Sequence, residues 1–194
     1  QWLELAKNLK DKKIATPELW LSDDVHFEKA CSIFGKNQVK MLSELRYKAP
    51  LHEKIDYDGS LNDFLLSNEY TLVKDICIKM MDRLDEIGMM SRLDKEVWFH
   101  FVCIWTLKRF SKKKPDFVLM SEAPHNHAQY LVFALCDYLN IPILKFVGLL
   151  PIPILYPYIY IHGKYKKLNI SQPSSTKLKL IDAINQYIDN THKR

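Results

Sequence analysis

Residues 115–147 constrain this chain more than any other stretch. They read as a buried strand (117–120), a polar loop, an amphipathic helix (about 128–139) and a second buried strand (141–147). The helix carries Leu131, Val132, Leu135 and Leu139 on one face, the spacing of a 3.6-residue period. Ile141, Ile143, Leu144, Phe146 and Val147 form a nearly unbroken apolar run, as expected of a parallel strand covered on both faces. A strand–loop–helix–strand unit of this kind places its ligand site at the carboxyl ends of the strands. That position holds Ser121, Glu122, His125, Asn126 and His127.

The rest of the chain adds helices to this core. Apolar residues at Trp2, Leu3, Leu5, Ala6 and Leu9 predict a short amphipathic helix. A strand is expected at 18–21. A helix capped by Ser22 or Asp23 should then run to Phe34 and stop at Gly35. Another short helix is predicted at 39–45, and 46–62 reads as a loop with a turn at Asp58-Gly59. Asn68 is the expected cap of a helix over 69–87, with Val73, Ile76, Cys77, Met80, Leu84 and Ile87 inward. Asp94 should cap the next helix, with Leu93 and Trp98 as a hydrophobic staple. That helix reaches Phe110 and is apolar on most sides, so deep packing is expected. Residues 117–120 are expected to form the central strand. A strand is expected at 154–161 and a last helix at 175–188. The whole 194 residues read as one helix-rich α/β domain with a parallel sheet.

Composition narrows the chemistry. With only 5 glycines, the chain has no Gly-x-Gly-x-x-Gly fingerprint and no glycine-rich phosphate loop. Ser121 lacks the flanking glycines of a hydrolase elbow. Net charge is +5, with basic residues at 108–114 and 164–167. They are not interleaved with exposed aromatics as in a nucleic-acid module, so nucleic acid is not expected as a partner. Cys31, Cys77, Cys103 and Cys136 form no Cys-x-x-Cys pair. They read as small core residues of a reducing compartment, and no metal site is expected. The run 141–161 is long enough to span a membrane, but Pro142, Pro151, Pro153 and Pro157 would break its helix. A strand followed by a proline-rich crossover is expected instead, with an interfacial contact by 149–160 left open. Gln1 stands where an initiator methionine would, so the chain is expected to be processed or cut from something longer.

Among the loop residues, His125 and Glu122 are the candidates for proton transfer. An imidazole takes and gives protons near neutral pH, and a carboxylate orients it. Ser121, Asn126 and His127 are candidates for substrate contact. So are Asp23 and Asp24, which follow the first strand and could lie at the same sheet edge as this loop. The alternation of Tyr156, Tyr158 and Tyr160 fits either strand packing or stacking on sugars.

The stretch 115–146 resembles bacterial capsule polysaccharide biosynthesis proteins and related surface-polysaccharide glycosyltransferases. The matching residues are Pro115, Asp116, Glu122, Pro124, His125, Leu139 and Ile141, within about a sixth of the chain. The resemblance implies a GT-B enzyme with two Rossmann-like halves, of which this chain would be the N-terminal, acceptor-side half. It implies a nucleotide-sugar donor held by a C-terminal domain outside this sequence, and a glycan or glycolipid acceptor. It implies no cofactor and no bound metal, and a cytoplasmic protein that could touch the inner membrane peripherally. His125 would contact the acceptor or act as general base, with Glu122 orienting it. The alternative is a non-catalytic α/β binding module of an envelope polysaccharide pathway. A small hydrolase using Glu122 and His125 ranks last for want of a nucleophile.

Overall fold

A computed structural model describes residues 2–47, 62–85, 88–120, 123–149, 152–161 and 163–167. Helices dominate the described residues, with one parallel two-stranded sheet and one mixed four-stranded sheet, so the architecture is helix-rich α/β. The chain divides into two compact units, one drawn from Gln1–Pro115 and Pro124–Leu135 and the other from Asp116–Ala123 and Cys136–Arg194.

In the first unit, α1 (Trp2–Asp11) buries Leu3 and Ala6. β1 (Trp20–Ser22), α2 (Phe27–Phe34) and β2 (Val39–Met41) make a small β-α-β turn, with Trp20 opposite Val39 in a parallel pair. Leu3, Ala6, Ala30, Phe34 and Val39 form a buried cluster, and the Trp20 and Phe34 rings lie 5.3 Å apart. Gly35 ends α2 as expected, at φ 92°, a conformation costly for any residue with a Cβ. α2 begins later than predicted. Its cap position is His26, whose backbone N–H donates to the Asp23 carboxylate at 2.8 Å. The helix predicted at 39–45 is corrected to a strand followed by α3 (Leu42–Tyr47). Three residues are too few to carry a period-2 signal, and only pairing with β1 makes them a strand.

After α4 (Asn62–Leu65), α5 (Asn68–Leu84) and α6 (Arg92–Lys112) pack as neighbours. Ser67, not Asn68, caps α5 through a bond from Tyr70 N–H. The buried face of α5 is Val73, Cys77, Ile78 and Met81. That is about one residue round from the predicted stripe, and Leu84 is exposed. α6 starts with a reciprocal capping box between Ser91 and Asp94. The predicted staple is therefore absent: Leu93 lies inside the helix and points to solvent. Deep packing of α6 is borne out, since Trp98, Phe99 and the run 102–107 are buried.

The turn between these helices is held by charge. Lys95 Nζ lies 2.9 Å from Asp82 and 3.0 Å from Asp85. Asp85 also accepts from the Met89 and Met90 N–H groups. The Met90 N–H bond and the Lys95 ammonium hold the Asp85 carboxyl below its ordinary range, against the opposing effect of burial, with Met89 assisting. A carboxyl depressed by folding adds stability above its unfolded pKa of ~3.9 and loses it as pH falls through the folded value. Urea midpoints should accordingly drop as pH is lowered below about 4, and Asp85→Asn should flatten that acid limb. An unchanged limb in the variant would show that Asp85 does not carry it.

The four cysteines lie in α2, α5, α6 and α7 (His127–Tyr138) and are unbridged. Burial pushes the Cys103 and Cys136 thiols up to about 12 and raises Cys77 too. These are packing residues, as their spacing predicts.

In the second unit the strand order is β3 (Val118–Met120), β4 (Ile143–Leu149), β5 (Ile152–Ile161), β6 (Lys164–Lys167). β3 and β4 are parallel, with Val118 opposite Ile143. The other pairs are antiparallel. The expectation of an all-parallel sheet is corrected on this point. A parallel return needs a crossover of a dozen or more residues, whereas β4 ends at Leu149 and β5 starts at Ile152. The predicted proline-rich crossover is instead a hairpin. Its Pro153 and Pro157 fall where β5 pairs only with β4 among the described residues, since β6 joins from Tyr158. An unpaired edge tolerates a residue without an N–H.

Among the described residues, the strand predicted as central lies at an edge. β3 pairs only with β4 among the described residues, and its three residues are half-buried. Ile143, Leu144, Ile159 and Tyr160 are all buried. Consecutive strand residues face opposite sides, so both faces are covered there. Asn140, at φ 55°, closes α7, with Ile141 N–H returning to the Cys136 carbonyl at 2.8 Å. Asp137 accepts from the Tyr160 hydroxyl at 3.1 Å and from Gly163 N–H. Burial, then the Asp137 charge, pushes Tyr160 up to about 12. Tyr160 also lies 4.7 Å from the Tyr165 ring, so packing within the sheet accounts for it. No described helix is long and apolar enough to cross a membrane. The predicted helix at 175–188 lies outside the described residues.

Candidate functional site

The loop after β3 is built around three consecutive polar residues with different fates. Asn126 precedes α7, and its Oδ1 accepts the Gln129 N–H at 3.0 Å while its carbonyl accepts from Tyr130. A side-chain acceptor at this position satisfies a donor the first helical turn leaves open. Asn126 is 1% exposed, and its Nδ2 meets no acceptor among the described residues. His127 is 2% exposed and stands edge-on to Trp98, ring centres 4.6 Å apart at 84°. Its carbonyl takes a weak bond from the Cys77 thiol at 3.6 Å. Asn126 thus caps the start of α7, and His127 fastens it to α5 and α6.

His125 differs. Its side chain is exposed while its backbone is held on both sides. Arg83 Nη2 donates to its carbonyl at 2.7 Å, and its own N–H donates to Gln129 Oε1 at 3.3 Å. A fixed backbone with an exposed imidazole is the arrangement a proton-transfer residue needs, because geometry comes before basicity. Arg83 went unnoticed in the sequence. It is 42 residues away, at the far end of α5, and no local pattern ties it to this loop.

Ser121 and Glu122 lie outside the described residues. Asp23 and Asp24 follow β1, which pairs with β2, while β3 belongs to the other sheet. The expected shared sheet edge is thus corrected. Asp23 is bonded to the His26 ring at 2.7 Å and to its N–H. Burial acts to raise its pKa, but the two bonds from His26 outweigh it and the carboxyl titrates below its ordinary value. Asp24 accepts from the Ser43 hydroxyl. Both carboxylates brace the β1–α2 loop. Among the described residues, no three of His, Cys, Asp and Glu gather as a metal-ligand set.

Compared with protein-family models, curated proteins and solved structures, the chain gives no significant match.

Proposed function

We propose that the chain is the acceptor-side part of a glycosyltransferase that moves a sugar from a nucleotide-sugar donor to a surface polysaccharide or glycolipid. The observation that supports this reading best is the exposed imidazole of His125, with its backbone pinned by Arg83 and Gln129 in the loop after β3. The resemblance of 115–146 to surface-polysaccharide enzymes supplies the reaction. In it, neutral His125 takes the proton from an acceptor hydroxyl, with Glu122 orienting the ring. The acceptor oxygen bonds to the anomeric carbon as the bond to the donor phosphate breaks, and the nucleoside diphosphate leaves with the electron pair. In the GT-B arrangement the donor sits on a C-terminal domain, and a cytoplasmic protein meets glycolipid at the inner membrane surface.

The second reading is a non-catalytic binding module of the same kind of pathway. Two observations favour it: Asn126 and His127 are committed to packing, and the β4–β6 strands depart from a parallel doubly wound sheet. Incubating the full-length gene product with labelled nucleotide sugars and an acceptor glycan separates the two. Transfer of label supports the enzyme. Acceptor binding with no transfer from any donor supports the module.

A further inference from the structure

In the second unit, β6 brings one aromatic ring to the surface. Tyr165 is 51% exposed, although its cross-strand partner Tyr160 is buried. The register explains what surrounds it. Tyr165 stands opposite Tyr160, Tyr160 stands opposite Ile143, and Lys145 follows Ile143 on β4 with one residue between. Alternate residues of a strand share a face, so Tyr165, Tyr160 and Lys145 lie on one side of the sheet. The Tyr160 and Tyr165 ring centres are 4.7 Å apart, and the Lys145 ammonium is 5.2 Å from the centre of the Tyr165 ring. Both contacts come from strands on the same side of β6, which is the last strand of the sheet among the described residues. The exposed part of the ring therefore looks outward past that edge.

Two charged groups accompany the ring. Lys145 is half-buried, rests on Tyr165 and forms no ion pair among the described residues. Asp137, near the end of α7, is half-buried and accepts the Tyr160 hydroxyl on one oxygen and the Gly163 N–H on the other. A carboxylate oxygen has a second lone pair, so each keeps a further acceptor position. Burial, then the Asp137 charge, raises the Tyr165 hydroxyl above its ordinary value, as a carboxylate close to the phenol would. One ammonium and one carboxylate beside a single open ring balance in charge. They complement an uncharged ligand that both donates and accepts hydrogen bonds and has an apolar flank. A pyranose has that chemistry: hydroxyls around its rim, and C–H bonds that suit the negative face of an aromatic ring.

We propose that Tyr165, Asp137 and Lys145 bind an uncharged pyranose unit of a glycan. Its C–H face stacks on the Tyr165 ring, and its hydroxyls bond to the Asp137 carboxylate and the Lys145 ammonium. The site goes beyond the glycosyltransferase reading and does not rest on it, because glycan binding is read with no donor and no transfer.

Native electrophoresis of the 194-residue chain through gels holding dextran, mannan or galactomannan tests the site. At least one of these neutral polysaccharides should retard the protein. Tyr165→Ala should weaken the apparent Kd about tenfold, whereas Tyr165→Phe keeps the ring and should bind nearly as the wild type does. Lys145→Met keeps the apolar stem and removes the donor, which keeps the test sound should Tyr165→Ala disturb the sheet. A several-fold loss in Lys145→Met with an unchanged urea midpoint would support the site. The proposal is overturned if none of the three polysaccharides retards the protein, or if Tyr165→Ala and Lys145→Met are both retarded like the wild type. Retardation by alginate alone, which is built of charged uronates, also overturns it. Sugar transfer without retardation would keep the enzyme and remove this site, and retardation without transfer would do the reverse.

Discussion

Trp98→Ala is expected to destabilise the first unit by about 3–5 kcal/mol, the range for deleting a large buried aromatic. Trp98 is 2% exposed and sits on the buried side of α6. Three things go with its side chain. The apolar area returns to water, and a cavity remains that the surrounding helices fill only partly. The Leu45 carbonyl loses the indole N–H that meets it at 2.7 Å. The edge-on partner of His127 also disappears, and with it one fastening of the loop that carries His125. Urea unfolding followed by far-UV circular dichroism measures the loss. Trp98→Phe separates the contributions in part, because it keeps a ring against His127 while removing the N–H and the smaller half of the indole. It should cost about 1–3 kcal/mol, the range for leaving a buried acceptor unsatisfied. A loss below about 1 kcal/mol in Trp98→Ala would fall well below the range for a buried aromatic and would show that the indole is not packed as described.

The second large effect is on turnover. In the full-length protein, His125→Ala should lower kcat about 10²–10⁴-fold, the contribution of a positioned general base. Stability should barely move. The ring is exposed, and the backbone bonds from Arg83 and to Gln129 survive the substitution. Two readouts distinguish a base from a spacer. Added free imidazole should restore part of the rate lost in His125→Ala, because it replaces the missing base. Arg83→Met should lower the rate with no gain from added imidazole, since it frees the loop without removing the ring. Full turnover in His125→Ala would end the proposed role. A drop accompanied by a lower urea midpoint would instead mark His125 as a structural residue.

These two predictions draw on different kinds of legibility. The strand–loop–helix–strand order of 115–149 was readable because each piece carries its own signal. Those signals are the buried face of α7, the apolar run of β4 and the polar break between β3 and α7. Depth along α6 was readable because its 21 residues are apolar on most sides. Short elements were not. β2 reads equally well as helix until β1 pairs with it. β6, with three lysines among its four residues, offers no apolar alternation at all. The caps of α5 and α6 were misplaced by one to three residues because Ser67 and Asn68, or Ser91 and Asp94, are chemically equivalent candidates. Only the backbone decides which has helical neighbours on one side alone.

The site shows the same division. Its residue types, a run of imidazole, amide and imidazole ahead of α7, stand plainly in the sequence. Their roles do not. His125, Asn126 and His127 are neighbours of similar polarity, yet one is exposed and two are buried. The difference comes from α5 and α6, which supply Arg83, Cys77 and Trp98 from 29 to 50 positions away.

By itself, then, the sequence determined where most helices run, the apolar strand and the α/β class. These follow from periodicity and side-chain chemistry, which act between near neighbours. Tertiary structure alone decided that β3 pairs only with β4 among the described residues, that β5 returns antiparallel, and that Asp23 and Asp24 follow a strand of the other sheet. Such outcomes depend on which distant surfaces meet. A local pattern holds no record of them, because pairing and burial are properties of two segments together rather than of either one.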